Sequence, residues 1–559
     1  MLIVEVDKVN WFGIGIFLLL SLIGLLLILK RAKYFLHMIQ LEGYKNEQYI
    51  KWMENNSRVY SKKKKNTLLL GTIATFIYLI SSIILINAKL SVYLPYIYFI
   101  IWTAIMLMSI EKNIDEPKKP LVLTNRAKRL YYTNIALNII TTVVIYFIYS
   151  LFTSHFMLFL PIVIFMEMLL YYFQPLIMLL SNIIIKPVEK SINMHFYTMA
   201  QEKVKSMGSL NVVGITGSFG KTSTKFIIGT ILSGKFKVLN TPESYNTPMG
   251  LSKVINNDLK EDHEIFVAEM GARNIGDIRE LAELVSPKIG VITSIGPAHI
   301  ETFKNIDNIM KTKYELIEEL PTDGVAIFNY DNEHIKKLAD KTFKEKILYG
   351  LEDKESLDIY AEDIQVSEIG STFMVKDKEG NSIRCTTKLL GKHNIYNVLA
   401  GVSVARSMGM SFEEIKEGIE KIEPIPHRLN MINPGTGVII IDDAFNSNPI
   451  GAKAALEVLS QFKEGRKIIV TPGMIELGSM EVDANREFGV NIGKVCDYVI
   501  LVGEKRTTPI YEGLMEVNYN KDNVFIVNNL DEASVQIQKI VKPKDVVLFE
   551  NDLPDNYNE

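Results

Sequence analysis

The stretch Asn211-Val212-Val213-Gly214-Ile215-Thr216-Gly217-Ser218-Phe219-Gly220-Lys221-Thr222-Ser223-Thr224 decides the fold of the chain around it. Its first part is uncharged and rich in β-branched residues, the pattern of a strand buried in a parallel sheet. Glycines 214, 217 and 220 open a turn, and helical spacing follows from Lys225 to about Ser233. Strand, glycine turn and helix together aim backbone N–H groups and the positive helix end at one point, which suits a phosphate chain. Lys221 would neutralise β/γ-phosphate charge there, and the Thr222 hydroxyl would ligate Mg²⁺. Gly217, Ser218, Gly220 and Ser223 belong to the same loop. The strict spacing G-x-x-x-x-G-K-[ST] is not met, because Ile215 stands five before Gly220. An ordinary glycine turn is the plain alternative.

Working outward, the sequence changes character upstream. The chain has 559 residues, 48% of them apolar, two cysteines, and a formal net charge of −3. Its length implies several domains. Its composition excludes a disordered chain or a small disulfide scaffold. The near-neutral balance gives no argument for nucleic-acid binding. Mean hydropathy is +0.14, high for a soluble enzyme, and the excess lies at the front. Residues 11–29 form an uncharged run long enough to cross a bilayer core as a helix. Further spans are expected at 67–88, 92–110, 131–152 and from 156 to about 185. Residues 89–91 and 153–155 are connections short enough for helical hairpins.

Charge orients these five expected spans, to which four spans plus an interfacial helix are the main rival. Residues 30–66 carry ten Lys/Arg against three Glu, and residues 111–130 carry six basic against three acidic residues. The positive-inside rule puts both loops in the cytoplasm of a bacterium, the N-terminus outside, and everything beyond about residue 185 inside. The leading segment holds Glu5, Asp7 and Lys8, a poor match to a cleaved signal peptide. Glu167 in the fifth span is either a functional acid or a group turned into the bundle; the second is the simpler reading. Residues 186–208 read as a juxtamembrane helix whose lysines face solvent or anionic lipid.

Downstream of residue 209, short apolar strands alternate with amphipathic stretches, the pattern of α/β domains. Several motifs follow the glycine turn in order: Asn246-Thr247-Pro248-Met249-Gly250, Glu269-Met270-Gly271-Ala272, Thr293 to Glu301, Lys311-Thr312-Lys313-Tyr314-Glu315, Gly391 to Asn397, His427-Arg428-Leu429, and Asp442-Asp443-Ala444-Phe445-Asn446-Ser447-Asn448-Pro449. Together with the turn, they resemble the motif order of the Mur ligases, the ATP-dependent enzymes that build the peptide stem of peptidoglycan. The signatures are most similar to the D-alanyl-D-alanine-adding branch of that family. The resemblance implies an ATPase domain at 209–426 with a parallel sheet, and a Rossmann-like α/β domain at 427–559. These would follow a helical membrane domain at 1–185 and a linker helix at 186–208.

The resemblance also assigns roles. A carboxylate is a poor electrophile; phosphorylation by ATP gives an acyl phosphate that an amine can attack, and catalysis is mostly positioning and charge neutralisation. Lys221, Glu269, His299 and Lys313 match the catalytic positions. Glu269 and His299 would hold a second Mg²⁺ beside the one on Thr222, and Lys313 matches the lysine that the family carbamylates to support the metal. Read alone, Lys313 is a solvated helix lysine. His393, Asn394 and Asn397 match adenine-side positions, although a His-Asn pair at a helix start is also a common cap. Arg428 and Asp443 match residues reaching phosphate and ribose from across a hinge after Pro424 and Pro426. Asn246 and Thr247 match a substrate-side loop; Asn446 and Asn448 are either substrate-side or loop-stabilising.

Two departures limit the resemblance. The expected membrane spans stand where the family has a domain gripping the uridine nucleotide sugar. At the other end, Glu550-Asn551-Asp552 replaces a Lys-Gly-Ser-type ending after the last strand. Three readings follow: a membrane-anchored ligase acting on a muramoyl peptide and D-Ala-D-Ala or an amino acid; the same chemistry on a lipid-linked or other envelope acceptor; and, remotely, an ATP-driven transporter. A β-rich insertion is expected at 359–390 with a turn at Lys378-Glu379-Gly380-Asn381. Strands are expected at 438–441, 467–471 and 498–502, and Cys385 and Cys496 are expected to be structural.

Overall fold

The computed structural model describes residues 11–56, 59, 62–84, 93–109, 120–150, 165–367, 370–445 and 447–552. Two compact units emerge, Met1–Ile192 and Asn193–Glu559.

The first unit is helical, with helices Trp11–Leu41, Asn46–Asn55, Lys62–Ile84, Leu94–Ser109, Asn125–Ser150 and Phe165–Tyr172, and the first part of Gln174–Ser206. Among the described residues, Lys64–Ile84 is the one helix long and apolar enough by itself to cross a membrane. Phe165–Tyr172 and Gln174–Ser206 qualify as a pair bent by 68°. The expected fifth span is therefore broken at Phe173. The expected connections at 89–91 and 153–155 lie outside the described residues. Two local expectations change. Most of the basic segment 30–66 is helical rather than loop, because its apolar positions recur at helical spacing and bury Phe35, Leu36, Ile39 and Tyr49. The expected linker helix is continuous with the helix before it, since Pro187 is accommodated within Gln174–Ser206. Glu167 turns inward: it is 7% exposed, and a methyl added to Gly24 would collide with its carboxyl.

Among its described residues the second unit contains two sheets. The first is nine-stranded, with β1 Asn211–Thr216, β2 Val238–Asn240, β3 Ile265–Glu269, β4 Ile289–Ile292, β5 Val325–Asn329, β6 Lys346–Gly350, β7 Ile359–Ser367, β8 Gly370–Asp377 and β9 Ser382–Thr387, in the order β2-β3-β1-β4-β5-β6-β7-β8-β9. The strands up to β7 pair in parallel, and the last three form antiparallel hairpins. The expected β-rich insertion thus extends the main sheet. Its second hairpin turns at Gly380 (φ 88°), where Asp377 Oδ1 accepts from Glu379 N and Asn381 N.

Alternation along β1 shows why both faces are covered. Val213 and Ile215 pack with the helices Lys221–Leu232 and Lys392–Ser407, while Val212 packs with residues of Pro248–Asn257 and Asp277–Val285. The second sheet contains β10 Asn430–Ile432, β11 Ile439–Asp443, β12 Lys467–Thr471, β13 Tyr498–Val502, β14 Val524–Val527 and β15 Val546–Glu550, ordered β10-β11-β15-β12-β13-β14. Only β10 runs antiparallel to its neighbour. Cys385 lies on β9, and both cysteines are buried and free. In each sheet the parallel strands deliver their carboxyl ends, with the loops that follow, to one edge, where open α/β sheets bind ligands.

Candidate active site

The glycine loop leaves β1 at Thr216 and enters the helix Lys221–Leu232 through Gly220, whose φ of 79° favours glycine. Small residues are required at two points. A methyl at Gly217 would strike Thr293 Oγ1, and one at Gly220 would lie 2.9 Å from Asn397 Oδ1. The segment after β4 stitches the loop in place. Ser218 N donates to Ser294 O at 2.8 Å, Phe219 N to Ser294 Oγ at 2.8 Å, and Gly296 N to Ser218 Oγ at 3.0 Å. Ser218 therefore shapes the loop with both its amide and its hydroxyl. The orphan amides at the helix start remain for an anion. Thr222 and Ser223 sit there, half-buried, and the Thr222 hydroxyl makes no hydrogen bond among the described residues. Lys221 folds back, its Nζ donating to Gly217 O at 2.9 Å; burial lowers its pKa, with Glu269 opposing and Arg428 adding to the shift.

Glu269 ends β3 beside Ile215 of β1 and is 1% exposed. Its carboxylate accepts from Asn246 Nδ2 at 3.0 Å and from Lys225 Nζ at 3.2 Å. Lys225 is fully buried and also donates to Glu243 O. Sequence reading misses this lysine, although its place one turn after Lys221 is a usable signal. His299 sits at φ 52°, and its Nδ1 lies 2.6 Å from Glu476 Oε2, while Glu476 Oε1 accepts from Arg273 at 3.4 Å. No local signal could mark Glu476, which lies 177 positions from His299.

Lys313 is 3% exposed rather than solvated. Burial, with Lys221 as the next contributor, pulls its pKa down to about 7, so a large share of the amine is uncharged at neutral pH. Glu315 on the same helix accepts from Gly276 N at 2.8 Å and Arg279 N at 3.0 Å, capping Asp277–Val285.

The remaining expected residues lie beside the glycine loop, at the second sheet and at helix starts. Asn397 Oδ1 accepts from Thr224 Oγ1 at 3.1 Å, and Asn394 Oδ1 accepts from Asn397 Nδ2 at 3.1 Å, which ties the helix Lys392–Ser407 to the glycine loop. Burial lowers the His393 pKa to about 4. Arg428 stacks over Phe445 at 4.3 Å and feels Asp443, Glu269 and Glu550. Asp443 accepts from Leu429 N at 3.1 Å. Thr247 caps Pro248–Asn257 by accepting from Gly250 N at 3.2 Å, and Asn448 caps Pro449–Ser460 by accepting from Gly451 N at 3.0 Å. Asn446 lies outside the described residues.

The chemistry of the donors fits magnesium. Mg²⁺ takes one or two protein oxygens and completes its shell with water and phosphate, so a hydroxyl at a helix start and a nearby carboxylate suffice. Among the described residues no three His, Cys, Asp or Glu side chains cluster as an all-protein cage.

Comparison with known proteins gives this geometry its name. Residues 215–405 match the Mur ligase middle domain, and residues 427–550 match the Mur ligase glutamate ligase domain. The UDP-N-acetylmuramoyl-tripeptide–D-alanyl-D-alanine ligase of Bacillus subtilis is 30% identical over 353 residues, covering 63% of this chain and 75% of that protein. The chain belongs to the Mur ligase family. The enzyme of the same description from Haemophilus influenzae is 31% identical over 295 residues, 51% of this chain and 63% of that one. Crystal structures of MurF resemble this Mur ligase: that from Acinetobacter baumannii has a TM-score of 0.59 and 26% identity, over 65% of this chain and 78% of the other. MurF from Thermotoga maritima in complex with ADP has a TM-score of 0.58 and 27% identity, over 64% and 80%. As a Mur ligase the protein is an ATP- and Mg²⁺-dependent enzyme that forms C–N bonds with release of ADP and phosphate, of the kind that builds peptidoglycan precursors.

Proposed function

We propose that this Mur ligase is anchored in the bacterial cytoplasmic membrane by its helical unit and joins an envelope-precursor carboxylate to D-alanyl-D-alanine at the cytoplasmic face. Residues 209–426 would bind nucleotide, and Arg428 and Asp443 of residues 427–559 would reach it from across the hinge. The observation that carries the ligase chemistry is the buried cluster at the glycine loop, where Glu269 accepts from Lys225 and Asn246 and lies within charge range of Lys221, Lys313 and Arg428. Phosphoryl transfer to a carboxylate brings anions together, and Lys221 and Arg428 would offset that charge. Thr222 would hold one Mg²⁺, and Glu269 with His299 a second, and the bound metal would neutralise phosphate charge. Lys221 would swing from the Gly217 carbonyl to the β/γ-phosphates. Arg428 would approach from the other sheet, held by its stack on Phe445. An uncharged Lys313 amine is what carbamylation requires. The chemical names of the relatives support D-alanyl-D-alanine as the amine.

The acceptor has two candidates. UDP-N-acetylmuramoyl-tripeptide is the acceptor in the relatives' names. A lipid-linked or other envelope-polymer acceptor is favoured by the apolar helix Lys64–Ile84 ahead of the matched region. Full-length protein with ATP, Mg²⁺ and D-Ala-D-Ala is offered each acceptor, and product mass is read. A pentapeptide on the nucleotide-linked acceptor establishes the first; product on the lipid-linked acceptor alone establishes the second. Absence of product with either would sink the proposed substrates.

A further inference from the structure

The ending of β15 departs from the family pattern, and its side chains have specific work in this chain. Asp443 and Glu550 are register partners on the parallel strands β11 and β15, so both carboxyls stand at the same carboxyl-terminal edge. Glu550 is 1% exposed. Its Oε1 accepts from Ser447 Oγ at 2.6 Å, and its Oε2 meets no donor among the described residues. Burial and the neighbouring Asp443 push the Glu550 carboxyl up, while Arg428 pulls the other way. A buried carboxyl beside a half-buried one holds a proton more readily than a second negative charge.

Asn551 completes the arrangement at φ 72°. Its Oδ1 accepts from Ser447 N at 3.2 Å, its Nδ2 donates to Gly473 O at 2.7 Å, and its own N–H reaches Asp443 O at 3.2 Å. Two loops are therefore tied to one short segment. The loop after β11 carries Phe445, on which Arg428 stacks. The loop after β12 carries Glu476, which engages His299 and Arg273 on the first sheet's side. A side chain of another shape at either position would release one or both loops.

We propose that Glu550 and Asn551 are positioning residues for the ligase reaction, tethering the 443–448 and 473–478 loops so that Arg428 and Glu476 meet the nucleotide side in register. The proposal rests on the ligase chemistry and is independent of which acceptor is used. Glu550→Gln keeps an oxygen for Ser447 without a second charge, whereas Glu550→Ala and Asn551→Ala remove tethers.

The test uses full-length protein. Hydrogen exchange of peptides covering 444–451 and 473–478 is followed with Mg²⁺ and ADP present, which needs no acceptor. Turnover is assayed with ATP, D-Ala-D-Ala and UDP-N-acetylmuramoyl-tripeptide. Asn551→Ala is expected to speed exchange in both peptides by about tenfold or more. It should lower kcat by about 10- to 100-fold. Glu550→Ala should follow it for the 444–451 peptide and for kcat. Glu550→Gln should retain at least about a third of kcat. Wild-type protein that makes no product contradicts the acceptor reading alone, and exchange then decides the tether. Unchanged exchange in both peptides, or a kcat within about twofold of wild type for both alanine variants, overturns the proposal. So does Glu550→Gln losing as much turnover as Glu550→Ala.

Discussion

The two units of this chain use apolar residues in opposite ways. In the ligase unit, Val213, Ile215 and Ile327 on the first sheet are fully buried beneath helices. In the helical unit, Phe76, Ile77, Ile84 and Ile100 are each at least 60% exposed. The polar residues Asn134, Gln174 and Ser181 are fully buried there, with Gln174 Nε2 donating to Asn134 Oδ1 at 2.6 Å and Asn134 Nδ2 to Ser181 Oγ at 3.2 Å. Apolar surface outside and hydrogen-bonded polar groups inside suit hydrocarbon surroundings. The lesson is that the same residue types report the solvent as much as the fold.

The contrast can be broken from either side. The largest effect is expected for Lys221→Ala, which should lower turnover by about a thousandfold while membrane partition, followed by vesicle flotation, stays unchanged. Loss of partition would mean that the two units are not functionally separate. Phe76→Asp should do the converse. A charge at mid-helix costs about 2.5–3.5 kcal/mol of insertion, so flotation should fall while ADP binding to the remaining folded protein persists. Undiminished flotation would argue against a lipid-facing Phe76.

Within the ligase unit the residues of the glycine loop are legible from the sequence alone, because a phosphate site needs small residues and a helix start within a few positions. Glu269, Lys313 and Arg428 gain meaning only in company with that loop. Lys225, Glu476 and the Glu550–Asn551 tether are illegible in the same sense: each works through a partner brought by a strand or loop remote in sequence. The break at Phe173 and the continuous helix through Pro187 are also unreadable, since tertiary packing outweighs local propensity there. Lys313 shows the same limit from the other side, assigned to solvent by its helix and buried by the sheet.

Smaller effects sharpen the division between chemistry and scaffold. His393 is held at about 4 against an unfolded value near 6.5. Between those values the unfolded chain binds the extra proton, so His393 contributes stability that is present above pH 6.5 and lost as pH falls towards 4. His393→Gln should flatten that part of the melting-temperature profile; an unaltered slope would remove His393 from the balance. Thr247→Ala should cost about 1 kcal/mol, read as a lower melting temperature, with the KM for the amine within about twofold. A tenfold rise in that KM with no change in melting would show that Thr247 serves substrate and not only the helix Pro248–Asn257.

The most direct test of a ligase set in a membrane is a balance of products from full-length protein in phospholipid vesicles. ATP, Mg²⁺ and acceptor are supplied with D-Ala-D-Ala present or absent, and ADP and amide product are both counted. Release of one ADP per amide bond, falling to background when the amine is withheld, is the predicted result. Steady ADP release that ignores both amine and acceptor would contradict the ligase account and return the protein to an ATP-driven transporter.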